Sequence, residues 1–151
     1  MRRSPAETLT VHATAVALDG LGVLLRGAPG SGKSDLALRL IDAGARLIAD
    51  DQTTLVRRGD ALLASPPATI AGRLEVRGLG LMALAHVADV PLAAVFDLVG
   101  AGALERLPEP ATVEILNILL PLIRLDPTVP SAAAKVRLAV HQLRGDKMAP
   151  P

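Results

Sequence analysis

Residues 27–34, "GAPGSGKS", follow the spacing G-x-x-x-x-G-K-[ST]. Each position suits the binding of a polyphosphate. Gly27, Gly30 and Gly32 let main-chain N–H groups point inward where side chains would block an anion, with Ala28, Pro29 and Ser31 completing the loop. A helix opening straight after the loop adds unpaired N–H groups and a partial positive end. Lys33 is placed to reach the β and γ oxygens, and the Ser34 hydroxyl to ligate Mg²⁺. The structural alternative is a glycine-rich turn with an incidental lysine. The strand–loop–helix context required of a phosphate cradle speaks against it.

Acidic residues supply the next candidates. "ARLIADD" reads as a strand ending in Asp50 and Asp51. A carboxylate there can hold Mg²⁺ or take a proton from an attacking hydroxyl. Adjacent residues of an extended chain face opposite ways, so the two aspartates have different tasks, although a solvated turn explains the pair equally well. Glu75 and Arg77 share one strand face. They suit a metal-ligating carboxylate beside a phosphate-reading cation, but taken alone they read more simply as a surface ion pair. His12 sits on the polar face of a strand, where a lone histidine is ordinarily just solvated. His86 and His141 have no partners in the pattern, and Arg57 and Arg58 read as solubilising residues of a hairpin.

The elements that position these groups follow from periodicity. Residues 8–18 alternate polar and apolar as one strand, 23–26 form a short buried strand, and 33–43 a helix closed by Gly44. Residues 53–65 predict a hairpin turning at Arg58-Gly59-Asp60. Residues 73–87 predict strand structure broken at Gly78 and Gly80, and 91–99 a central strand. Within 100–130, dense in Pro and Gly, "TVEILNILL" predicts a short helix. Ser131 is positioned to cap a last helix ending before Gly145. Strands outnumber helices and the hairpins are tight, which predicts a single α/β domain with a mixed sheet. The expected organisation is a tail over 1–7, the domain over 8–145 and a tail over 146–151.

Composition narrows the function classes. The chain has 151 residues, enough for one domain; half are apolar and 1% are aromatic, so Ala, Val, Leu and Ile build the core. Without aromatic stacking platforms, and with a net charge of +1, no nucleic-acid footprint is indicated. Zero cysteines leaves neither disulfides nor thiolate metal sites, in keeping with a cytoplasmic location. No apolar run approaches the roughly 18 residues of a membrane span, and "MRRSPAETLT" lacks the apolar core of a signal peptide.

Taken together, "VHATAVALDGLGVLLRGAPGSGKSDLALRLIDAGARLIADD" and "LEVRGLGLM" resemble the catalytic domain of HPr kinase/phosphorylase, across about residues 9–83. The family joins a histidine on the strand before the loop to the loop itself, a "RLVADD" run and a "LEIRGLGI" run. The resemblance implies a fold similar to phosphoenolpyruvate carboxykinase, and a short form without the family's amino-terminal domain. It implies an ATP- and Mg²⁺-dependent kinase that phosphorylates a serine of HPr, the phosphocarrier protein of the phosphotransferase system. A second implied activity removes that phosphate with inorganic phosphate, releasing pyrophosphate. By resemblance, Lys33 and the loop amides bind phosphates, Ser34 and Glu75 hold Mg²⁺, and Asp51 exchanges the seryl proton with His12 assisting. Asp50 and Arg77 support them, and the protein is a homo-oligomer. The family's arginine-bearing "PVRPGRN" loop has no match: the region reads "LPLIRLDPTVPSAAAKVRLAV", whose basic residues are Arg124, Lys135 and Arg137. Two other readings keep the same loop: a P-loop kinase with a different acceptor, and a non-catalytic nucleotide sensor.

Overall fold

The computed structural model describes residues 7–145, so most of the expected amino-terminal tail and all of the carboxy-terminal tail lie outside the described residues. In chain order the elements are β1 (Thr8–Val11), β2 (Thr14–Leu18), β3 (Leu21–Arg26), α1 (Lys33–Asp42), β4 (Arg46–Ala49), β5 (Thr53–Arg58) and β6 (Ala61–Ser65). There follow β7 (Arg73–Val76), β8 (Gly80–Ala83), β9 (Val90–Leu98), β10 (Ala111–Ile115), β11 (Ile118–Leu125) and α2 (Ala132–Leu143). The α/β class and the mixed sheet are as the sequence predicts. Strands β3, β9 and β11 run parallel, while β2, β4, β6 and β10 pair antiparallel with their neighbours.

The sheet forks at β9. β3 lies along one edge of β9. On the other edge β6 meets its start, pairing Ala64 with Val90, and β11 meets its end, pairing Leu125 with Leu98. Strands β1, β5 and β6 extend one arm of the fork as antiparallel neighbours, and β7 and β8 stand apart as a two-stranded hairpin.

Strand alternation divides the core in two. Val23, Leu25, Ala94 and Phe96 face Leu36, Leu40, Val136 and Val140 of the helices. Leu24 and Val95, one residue out of phase, face Leu55, Leu62 and Leu120. A central strand buried on both faces reads as a continuous apolar run, which is why "PLAAVFDLV" was legible. Phe96, the one aromatic, is fully buried, and burial of a side chain that size is worth about 2–3 kcal/mol.

Three expectations need correction. The strand over 8–18 is two strands, because the chain bends at His12 and Ala13 and transfers from β5 to the β3–β4 pair. Thr53 Oγ1 pins the bend by donating to Ala13 O at 2.9 Å. The helix expected in "TVEILNILL" is the β10–β11 hairpin. Leu116 and Asn117 take φ 49° and 61°, the left-handed pair of a two-residue turn that a helix cannot contain. Finally, Ser131 precedes α2 without a side-chain capping bond. Its φ of −82° and ψ of 1° differ from the extended conformation from which a hydroxyl reaches the first turn.

Candidate active site

The glycine-rich loop of residues 27–34 leaves the carboxyl end of β3 and enters α1. Arg26, the last residue of β3, grips Asp97 of β9 through Nε at 2.7 Å and an Nη at 3.1 Å. This anchors the loop's first residue to the neighbouring strand. A side chain at Gly27 would collide with Ser31 Oγ and force Ser31 to shift. Gly32 has φ 99° and directs the chain into the helix, its carbonyl accepting the Leu36 N–H at 2.9 Å. No side chain caps this end of α1, which leaves first-turn N–H groups for a ligand. The Ser31 hydroxyl is buried and has no hydrogen-bond partner among the described residues. Lys33 folds back over the loop, Nζ donating to Gly27 O at 2.8 Å and to Ala28 O at 3.1 Å.

Asp50 forms the floor beneath this loop and is 8% exposed. Its Oδ1 accepts the Ser34 hydroxyl at 2.7 Å and the Thr14 hydroxyl at 2.9 Å. Its Oδ2 accepts the Glu75 N–H at 3.0 Å. Asp51 turns the other way: it is exposed, with φ 68°. A left-handed aspartate costs about 1 kcal/mol or more, and such strain concentrates where a side chain must be aimed. The two carboxylates diverge, one inward on Ser34 and one outward, but strand alternation is not the cause: β4 ends at Ala49 and the left-handed turn at Asp51 separates them.

The remaining candidates gather around this floor to different degrees. Glu75 is on β7 and reaches Asp50 through its main chain, while its side chain is exposed. Arg77 lies in the exposed turn between β7 and β8, and no ion pair joins it to Glu75 among the described residues. His12 is exposed in the bend two residues before Thr14, and no hydrogen bond links its side chain to Asp51.

The structure also separates the three basic residues of the carboxy-terminal region. Parallel register places Arg124 beside Asp97, itself beside Arg26, at the loop-bearing end of the sheet and about 10 Å from Arg26. Lys135 instead faces Asp126 electrostatically. Arg137 lines a cleft of about 180 Å³ with Leu18, Gly44 and His141 at the far end of α1, about 15 Å from the loop. Arg39 and Thr14 matter although the sequence pattern gives neither a role. Arg39 binds Pro127 O and Val129 O, holding residues 127–129 against the loop helix.

The donor set fits a nucleotide with its metal. Among the described residues no cluster of three His, Cys, Asp or Glu side chains forms a self-sufficient metal cage. Mg²⁺ bound with a nucleotide needs none, because one or two protein oxygens supplement phosphate and water. Ser34 Oγ held by Asp50 is such a donor, and the orphaned Ser31 hydroxyl is a spare donor for a phosphate oxygen.

Comparison with known proteins agrees with this geometry. Residues 3–89 match the family model described as HPr Serine kinase C-terminal domain. The HPr kinase/phosphorylases of Burkholderia lata and Burkholderia cenocepacia are 36% identical to the chain over 165 aligned positions, covering 96% of it. The chain spans 50% of the length of each. The structure described as the Hpr(Ser) kinase/phosphatase from Coxiella burnetii superposes with a TM-score of 0.81 at 27% identity, over 90% of this chain and 96% of that one. No helix among the described residues is long and apolar enough to cross a membrane. By sequence and by fold, the chain belongs to the HPr kinase family, matching its carboxy-terminal domain.

Proposed function

We propose that residues 8–145 form the catalytic domain of an ATP-dependent protein kinase that phosphorylates a serine of HPr. The observation that carries this reading is the divergent aspartate pair. Asp50 holds the Ser34 hydroxyl at 2.7 Å, and Asp51, at φ 68°, turns outward to solvent. Loop amides, Lys33 and the Ser31 hydroxyl hold the β and γ phosphates of ATP, and Lys33 exchanges its loop carbonyls for phosphate oxygens. Ser34 and Glu75 hold Mg²⁺, which offsets charge on the phosphates when bound. Asp51 accepts the seryl proton as the serine oxygen bonds to the γ phosphorus and the bond to the β-phosphate oxygen breaks, releasing ADP. His12 assists Asp51, and Arg77 supports Glu75 or a phosphate. In the dephosphorylating sense, an oxygen of inorganic phosphate bonds to the phosphorus of phosphoserine as the bond from that phosphorus to the seryl oxygen breaks; pyrophosphate is formed, and Asp51 returns the proton to the serine oxygen. Arg124 is the cation best placed to stabilise charge in either direction. The protein works in the cytoplasm, where HPr and ATP meet, as a homo-oligomer.

Labelled ATP incubated with the protein and purified HPr tests the reading. Label on a serine of HPr supports it; tight nucleotide binding without transfer replaces it with a nucleotide sensor. Asp51→Asn is expected to lower transfer about 10²–10⁴-fold while nucleotide affinity is retained. Undiminished transfer by that variant removes Asp51 from the mechanism.

A further inference from the structure

The sequence pattern gives Thr14 no role, yet its one hydroxyl joins both aspartates. Its side chain is fully buried at the start of β2. Thr14 Oγ1 donates to Asp50 Oδ1 at 2.9 Å and accepts the Asp51 main-chain N–H at 3.1 Å. A hydroxyl has one proton, so acceptance from Asp51 and donation to Asp50 fix its orientation. On one side it sets the Asp50 carboxylate that holds Ser34. On the other it holds the peptide after which Asp51 turns outward. The hydroxyl is itself held in place, because the adjacent Ala13 carbonyl is tied to Thr53.

We infer that Thr14 is a positioning residue that couples the metal-side aspartate to the proton-accepting one. Its hydroxyl keeps the Asp50 carboxylate on Ser34 and the Asp51 backbone in its left-handed turn, so that both acids hold their working directions together. The coupling rests on the phosphoryl-transfer reading above, but the hydrogen bonds that carry it can be measured without any acceptor protein.

Three variants test it. Thr14→Val keeps the shape and removes the hydroxyl, Thr14→Ala removes it with less bulk, and Thr14→Ser keeps it. In Thr14→Val the Asp51 amide loses its acceptor and Asp50 one donor. Hydrogen exchange at the Asp51 amide is expected to quicken at least about tenfold, and kcat for HPr phosphorylation to fall about 10- to 100-fold with KM for ATP near the wild-type value. Thr14→Ser is expected to keep both properties near wild type; Thr14→Ala reports the hydroxyl's loss should the valine variant not fold. Unchanged exchange at Asp51 in a folded hydroxyl-free variant overturns the inference. So does a loss of kcat in Thr14→Ser equal to that in the hydroxyl-free variants. If the wild-type protein leaves HPr unlabelled, the kinase reading fails, and the exchange measurement still decides whether Thr14 holds the Asp51 backbone.

Discussion

Among the described residues two buried aspartates accept threonine hydroxyls, and they are built in opposite ways. Asp50 draws its donors from residues 16, 25 and 36 positions away: Ser34 of the phosphate loop, the Glu75 main chain and Thr14. Asp126, after β11, takes two hydrogen bonds from Thr128, whose hydroxyl and N–H reach Oδ1 at 2.7 and 2.9 Å. The first arrangement exists only once β2, α1, β4 and β7 have assembled. The second is a local turn that needs no distant partner. Non-local donors on one carboxylate tie a site to the integrity of the whole fold, whereas local donors stiffen a loop.

The largest difference is expected when each acid loses its charge. Asp50→Asn presents an amide to three donors and weakens the hold on Ser34. A stability loss of about 1–3 kcal/mol and a fall in phosphoryl transfer of about 10²–10³-fold are expected. Denaturant unfolding and the HPr assay measure the two effects. If stability falls and transfer does not, Asp50 is a structural acid like Asp126, and the contrast between them disappears.

The difference between non-local and local also explains what was legible in the sequence. The phosphate loop is contiguous, so Gly27 to Ser34 and the opening of α1 were readable residue by residue. The same holds for the Gly59-Asp60 turn and the doubly buried β9. Thr14 was not readable. In an alternating run it falls with Thr8, Thr10 and His12 on what reads as a solvent face, and only the bend at His12–Ala13 turns it inward. "TVEILNILL" misled because Ile115, Ile118 and Leu119 also fit a helical spacing, whereas the left-handed pair at Leu116 and Asn117 makes it a hairpin. The direction of Asp50 depended on three partners remote in sequence, which no local pattern records.

Within the carboxy-terminal region the contrast sharpens to one cation. Arg124 shares the loop-bearing end of the sheet with Arg26, whereas Lys135 faces Asp126 and Arg137 lines the cleft at the far end of α1. Arg124→Ala is expected to lower kcat/KM for HPr phosphorylation about tenfold, as the loss of one cation near the transferred phosphate would. Lys135→Ala and Arg137→Ala should leave it unchanged. An equal loss in all three would mean that net charge, rather than the position of Arg124, is what the site uses.

The smallest effect belongs to Asp126 itself. The Thr128 hydroxyl, then the Thr128 N–H and more weakly the charge of Lys135, hold its carboxyl below the ordinary value of 3.8, with burial acting in the opposite sense. A carboxyl lowered in the folded protein binds its proton more weakly there than in the unfolded chain. Its contribution to stability is therefore fully present above pH 3.8 and is lost as pH falls through the lowered folded value. Asp126→Asn keeps an acceptor oxygen but loses the charge, so its melting temperature should lie about 2 °C below wild type at neutral pH. That gap should close as the solution is acidified below the ordinary carboxylate range, while HPr phosphorylation at neutral pH stays at the wild-type rate. A gap that persists unchanged into strong acid would assign the loss to shape rather than charge. A loss of transfer would place residues 126–129, of which Arg39 holds 127 and 129 against α1, within the catalytic apparatus.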